Sequence, residues 1–202
     1  MRLLRLALLS TLLLTLVVSV SVAAIAPGDK APDFTLLDTS GEEHHLQDYL
    51  DAGQTVVLEW FNPDCPFIKK HHLNARTMNE TFAAVEGQDV VWLAINSSAA
   101  GREGAGLERN QKAHQDYEMP FPILMDEPGT VGRAYEAKTS PHMFVINSKG
   151  IVVYNGAIDD NRSPSKMGQK NYVELALKAV LSGGAVKEAS TLPYGCSVKY
   201  GK

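Results

Sequence analysis

The chain carries two runs that are apolar at nearly every position, residues 55–61 and 90–95, and a strand with no polar face has to be buried on both sides. Between them Ile68, Leu73, Phe82 and Val85 are loosely compatible with one helix over 66–85, giving strand, helix, strand. Upstream, Thr35-Leu36-Leu37 followed by Ser40-Gly41 predicts a lead-in hairpin. Downstream, 97–106 is rich in Ser, Ala and Gly and reads as a loop. The charged stretch 107–118 reads as a solvated helix, stopped by Pro120 and Pro122. A short strand at 123–125, a helical turn at 130–137 and a strand at 143–146 follow. Asn147-Ser148-Lys149-Gly150 then marks a hairpin into 151–154, and an amphipathic helix fits 172–181 before Ser182-Gly183-Gly184. Residues 185–202 show no periodicity. Strands alternating with helices and closing in a hairpin plus a helix predict an α/β fold, a three-layer α/β/α sandwich with a mixed central sheet.

The first residues change how the rest is read. Arg2 and Arg5 precede an apolar run from Leu6 to Val22 that exits through Ser21-Val22-Ala23, the pattern of a secretory signal peptide over 1–23; an uncleaved membrane anchor is the competing reading. The expected organisation is therefore a signal at 1–23, a domain at 24–183 and a tail at 184–202. Without Arg2 and Arg5, 17 of the 19 basic residues remain against 23 acidic ones, a net charge near −6 that argues against nucleic acid or an anionic membrane as partner. Export, to a periplasm or the outside, puts Cys65 and Cys196 where a disulfide persists. Two cysteines permit one intramolecular bridge, closing a loop of about 130 residues, for which chain entropy alone gives roughly 4 to 5 kcal/mol. A purely structural staple is thus a real alternative to a reactive pair.

Cys65 follows the strongest strand across Asn62-Pro63-Asp64, and Pro66 after it suits the first position of a helix. A thiol at a helix N-terminus faces free backbone N–H groups, which favour the thiolate; Lys69 and Lys70 add to that field and Asp64 opposes it.

On these residues the chain resembles the thioredoxin-like superfamily, specifically its redoxin (AhpC/TSA, peroxiredoxin-like) branch, over most of 27–183. Pro27-Gly28-Asp29-Lys30-Ala31-Pro32-Asp33-Phe34 looks like the redoxin opening. The segment from Trp60 to Ile68 sets Cys65 where that family keeps its nucleophile, and Thr139-Ser140-Pro141-His142-Met143-Phe144 is similar to the segment whose proline is cis and faces the reactive sulfur. The resemblance implies a cis peptide at Pro141 and an extended docking backbone before it. Two departures stand out. Ile68 occupies the place of a thioredoxin's second cysteine, which excludes ordinary CxxC exchange. Asn62 and Leu58 replace the Thr or Ser and the Pro that precede a peroxidatic cysteine, which argues against efficient peroxide reduction. The ending Gly195-Cys196-Ser197-Val198-Lys199-Tyr200, similar to that of a redoxin-like subgroup, supplies another partner: a cysteine on a mobile tail can fold back as a resolving thiol.

The expected function is an exported thiol oxidoreductase using Cys65, Cys196 and Pro141 without a cofactor. Its substrate is a protein or small-molecule disulfide or peroxide, and an external thiol is its electron donor. The alternatives are a redox-inert binding module stapled by Cys65 and Cys196, and a copper or zinc carrier using Cys65 with His71 and His72. The two histidines read more naturally as solvated helix residues, His142 as strand packing beside the cysteine, Trp60 and Tyr154 as core aromatics, and Asp159, Asp160 and Arg162 as a solvated loop.

Overall fold

The computed structural model describes residues 25–202; the expected signal at 1–23 lies outside them. No helix among the described residues is long and apolar enough to cross a membrane.

A five-stranded mixed sheet forms the centre, in the order β5 (Ile123–Met125), β4 (Val90–Asn96), β3 (Thr55–Trp60), β7 (Met143–Ile146) and β8 (Val152–Gly156). β3 runs parallel to β4 from the pair Thr55–Val90 and antiparallel to β7 from Val56–Ile146, so it is the middle strand, and all six of its residues are buried. Its alternation feeds two separate cores. Val57 packs with Ile68, Met78, Ala113, Val173 and Leu177 on one face; Val56, Leu58 and Trp60 pack with Leu46, Leu50, Val131 and Tyr135 on the other. Each such fully buried aliphatic side chain contributes roughly 1.5 to 3 kcal/mol.

Helices α2 (Pro66–Lys69), α3 (Thr77–Ala83), α4 (Leu107–Asp116) and α6 (Tyr172–Leu181) cover the first face, and α1 (Leu46–Asp51) and α5 (Thr130–Ala134) the second. The α/β sandwich expected from the sequence is therefore observed, with Trp60 and Tyr154 fully buried. The lead-in hairpin is β1 (Thr35–Leu37) against β2 (Glu43–His45). A second small sheet joins β6 (Thr139–Ser140) to β9 (Cys196–Ser197).

Three expectations need correction. The single helix over 66–85 is broken: α2 passes into a π-helical turn at Lys70–Asn74, where Ala75 N donates to Lys70 O at 2.9 Å, and α3 starts afresh after Arg76 in the left-handed region at φ 50°. The loop at 159–162 is only partly solvated, since Asp160 and Arg162 are exposed but Asp159 is buried. The tail is docked rather than mobile. It crosses the β8 edge with Asn155 N on Ala189 O and Thr191 N on Asn155 O, then pairs with β6.

Candidate active site

β3 aims the chain at the site and the loop after it is stiffened by side chains. Asn62 Oδ1 accepts from Asp64 N at 2.9 Å while its Nδ2 donates to Glu103 O at 3.1 Å. Asp64 is gripped by Arg109 at 2.7 Å, and Tyr117 donates to Pro63 O. Cys65 is the N-cap of α2, with Pro66 inside the first turn as expected, but its side chain makes no capping hydrogen bond. It points instead across the sheet. Its Sγ is fully buried, 3.0 Å from Ser140 O and 2.8 Å from Cys196 Sγ.

The peptide before Pro141 is cis, as the resemblance implied. The Ser140 carbonyl in front of it forms one wall around Cys65. Cys196 forms the other, delivered by the β6–β9 ladder in which Ser140 pairs with Cys196 and Thr139 with Ser197. The three residues singled out from sequence, Cys65, Cys196 and Pro141, thus converge on one point. Gly195 makes the approach possible: at φ +147° it sits so close that a Cβ would lie 2.1 Å from Ser140 O.

A thiol has one hydrogen to give. With the Cys65 S–H on the Ser140 carbonyl, the Cys196 S–H is left to donate to Cys65 Sγ. Burial first, and then that contact with Cys65, push the Cys196 thiol up to about 12, so Cys196 holds its proton firmly while both sulfurs are reduced.

His71 and His72 are not solvated. Lys70, His71 and His72 are all buried in succession, which an ordinary helix surface does not allow; the wider π turn carries all three inward. His71 Nδ1 meets Thr77 Oγ1 at 3.2 Å and Nε2 meets Tyr194 Oη at 3.0 Å. Burial and the neighbouring Lys70 lower its titration to about 3, leaving it neutral. His72 Nε2 lies 2.7 Å from Glu59 Oε1, and Trp92 donates to the other Glu59 oxygen at 3.2 Å. His72 Nδ1 is buried without a hydrogen-bond partner, but the pair does not converge with Cys65 on a ligand set. Among the described residues the one group of three metal-capable side chains is Asp38, Glu42 and His44, and there Asp38 already accepts from Ser40 N, Glu42 N and the His44 ring. His142 is buried, accepts from Lys138 N at 3.3 Å and packs on Phe144; burial lowers it to about 3, in keeping with strand packing.

Sequence reasoning passed over Glu59, Arg109 and Tyr194. Glu59 had a signal, a lone carboxylate inside an otherwise apolar buried strand, which has to find partners. Tyr194 had none beyond its nearness to Cys196.

The AhpC/TSA family matches residues 27–155. The chain belongs to that family. Thiol-disulfide oxidoreductase ResA of Geobacillus kaustophilus is 33% identical over 129 residues, covering 64% of this chain and 68% of ResA. The crystal structure of a hypothetical protein of Sinorhizobium meliloti 1021 superposes with TM-score 0.75 at 27% identity, over 89% of this chain and 97% of that one. A thiol:disulfide interchange protein DsbE of Chlorobium tepidum shares the fold, with TM-score 0.56 at 22% identity over 79% of this chain and 98% of its own. The oxidoreductase class read from the sequence agrees with the family match and with ResA.

Proposed function

We propose that the protein is an exported thiol-disulfide oxidoreductase in which Cys65 is the nucleophile and Cys196 the resolving thiol. One observation carries this reading: the two free sulfurs lie 2.8 Å apart although 131 positions separate them. Cys65 gives up its proton and attacks one sulfur of a substrate disulfide; a Cys65–substrate bond forms, the substrate S–S bond breaks, and the leaving thiolate takes a proton. Cys196 then loses its proton and attacks Cys65 Sγ, forming Cys65–Cys196 and releasing the second substrate thiol. Two electrons have passed from the protein to the substrate, and an external dithiol returns them by the reverse exchange. Cys196 thereby does from the tail what Ile68, buried in the core, cannot do from the helix.

Pro141 carries no N–H, so nothing at that position competes for Cys65, and the Ser140 carbonyl keeps the sulfur turned toward its partner. Peroxide is the lesser substrate in this reading. The polar side chain three residues before the nucleophile, Asn62, braces the loop through Asp64 N and Glu103 O and stands in place of the Thr or Ser of a peroxidatic site. The names of the relatives support thiol-disulfide exchange, and the residues before Ala24 support export to the periplasm or beyond.

The docked tail also favours a second reading, a permanent staple between Cys65 and Cys196 in a redox-inert module. Thiol trapping across a graded dithiol redox buffer, with Cys196→Ala as comparison, separates the two. The oxidoreductase predicts a bridge that forms and breaks reversibly in the folded protein and a variant that accumulates mixed disulfide on Cys65. A bridge that resists reduction until the protein unfolds would overturn it.

A further inference from the structure

Cys65 is reachable only past the tail. Its sulfur is fully buried, the neighbouring position is held by Cys196 Sγ, and the backbone edge of β6 is already paired with β9, a pairing prolonged by Val198 N on Lys138 O at 3.2 Å. A ladder with two residues on each strand is a weak fastening in itself. The stronger hold lies two residues upstream, where Tyr194 is buried with its hydroxyl among Lys70, His71 and Asp159.

The hydrogen bonds there account for every proton. Tyr194 donates to Asp159 Oδ1, and its oxygen accepts from Lys70 Nζ at 3.2 Å and from the Nε2–H of neutral His71 at 3.0 Å. Lys70 also donates to Asn161 O at 2.7 Å, and Asp159 accepts from Gly168 N at 2.8 Å. The receptor is assembled by the π turn after α2 and the loop after β8, and its one contribution from the tail is the tyrosine hydroxyl. None of these groups takes part in the thiol chemistry.

We propose that Tyr194 is the latch of the tail, and that the latched tail makes the site selective for small disulfides over disulfides carried by extended polypeptides. This rests on Cys65 acting as the nucleophile. A polypeptide binds a strand edge through main-chain hydrogen bonds, and here those bonds are made by β9, so it must strip the tail from β6 and draw Tyr194 from its socket. A small disulfide makes no main-chain hydrogen bonds to β6, so it needs only the Cys196 side chain to turn aside for an in-line approach of its S–S bond to Cys65, while Tyr194 stays seated. The exchange is the one already described, so the selectivity lies in access to Cys65.

The test measures single-turnover rates of the fully reduced protein with 2-hydroxyethyl disulfide and with an unstructured peptide of some twenty residues carrying an internal disulfide. Wild type, Tyr194→Phe and Asp159→Asn are compared, with hydrogen exchange measured in each at the Val198 amide, which donates to Lys138 O. Phe keeps the ring packed on Phe67 and removes only the hydroxyl. The loss of its hydrogen bonds should raise the peptide rate at least about fivefold in both variants while the small-disulfide rate moves less than about twofold, with Val198 amide protection falling alongside. An unchanged ratio of the two rates, or a parallel rise in both, overturns the selective latch while leaving the oxidoreductase reading in place. Absence of exchange with either disulfide in every protein overturns that reading, and the selectivity with it.

Discussion

The two sulfurs are held by opposite means. Cys65 stands at the end of a strand whose six residues are all buried, on a loop braced by Asn62, Arg109 and Tyr117. Cys196 stands on a tail in which, from Ala185 to Lys202, only Tyr194 is buried. One sulfur inherits its position from the hydrophobic core, the other from a short ladder, a glycine and a tyrosine hydroxyl. The contrast suits a division of labour: a nucleophile gains from rigidity, whereas a resolving thiol must leave and return within one catalytic cycle. It also locates weakness, since damage to the tail should change the redox behaviour of the pair without unfolding the sheet.

The largest expected effects come from removing either sulfur. Cys65→Ala should abolish disulfide exchange while costing roughly 1 kcal/mol or so of stability from the small cavity, read from exchange rates and urea unfolding. Exchange that survives through Cys196 alone would invert the assigned roles. Cys196→Ala should keep the first step and lose the second, so that mixed disulfide on Cys65 builds up and is visible by mass spectrometry. Gly195→Ala comes next. A Cβ there meets the Ser140 carbonyl in a backbone conformation that L residues rarely adopt, at a cost of about 2 to 3 kcal/mol. Because the tail alone bears that strain, the Cys65–Cys196 equilibrium against a dithiol buffer should shift by tenfold or more toward the reduced form. The thermal midpoint of the reduced protein should move little; a matching loss of global stability would mean that tail and core unfold as one.

Acid distinguishes the two regions in another way. His71 belongs to the tail socket and His142 to the core, and burial holds both neutral in the native state, with titration near 3. In the unfolded chain each binds a proton below about 6.5, so the unfolded state takes up more protons and stability falls as the pH drops from 6.5 toward 3. Each histidine contributes at most ~1.4 kcal/mol per pH unit over that window. His142→Gln should remove its share of the slope in urea titrations at pH 6.5, 5.5 and 4.5. A slope that does not change would place His142 in contact with water.

How much of this was legible beforehand follows the same line. The apolar runs at 55–61 and 90–95 predicted β3 and β4 because a strand buried on both faces writes its environment into every residue. Cys65 and Pro141 were readable through the residues around them. The π turn was not, because the spacing of Ile68, Leu73, Phe82 and Val85 says nothing of one wide turn that carries Lys70, His71 and His72 inward. Their burial also depends on Asp159 and Tyr194, about 90 and 120 positions further on, and local pattern has no access to such partners. The tail lacked periodicity for a physical reason: it touches the cores only at scattered points, Val186 and Cys196 on one and Val198 on the other, so nothing constrains alternate residues to be apolar.

The smallest predicted effect concerns charge. Lys199 lies 3.7 Å from Glu103 and is the ion pair nearest in sequence to Cys196, so an electrostatic fastening of the tail has to be weighed against the latch. Both side chains are partly exposed, Lys199 by 27% and Glu103 by 48%, and a pair of that kind is worth about 0.5 kcal/mol or less and is screened by salt. Lys199→Gln should therefore change the Cys65–Cys196 equilibrium by no more than about twofold, and raising the salt to about 1 M should do no more to wild type. Lys70 and Asp159 are shielded from such screening by burial, so the socket keeps its strength in the same salt. A larger response to salt, equalled by Lys199→Gln, would shift the fastening from the buried tyrosine to the surface and make ionic strength the control on how readily Cys196 leaves Cys65.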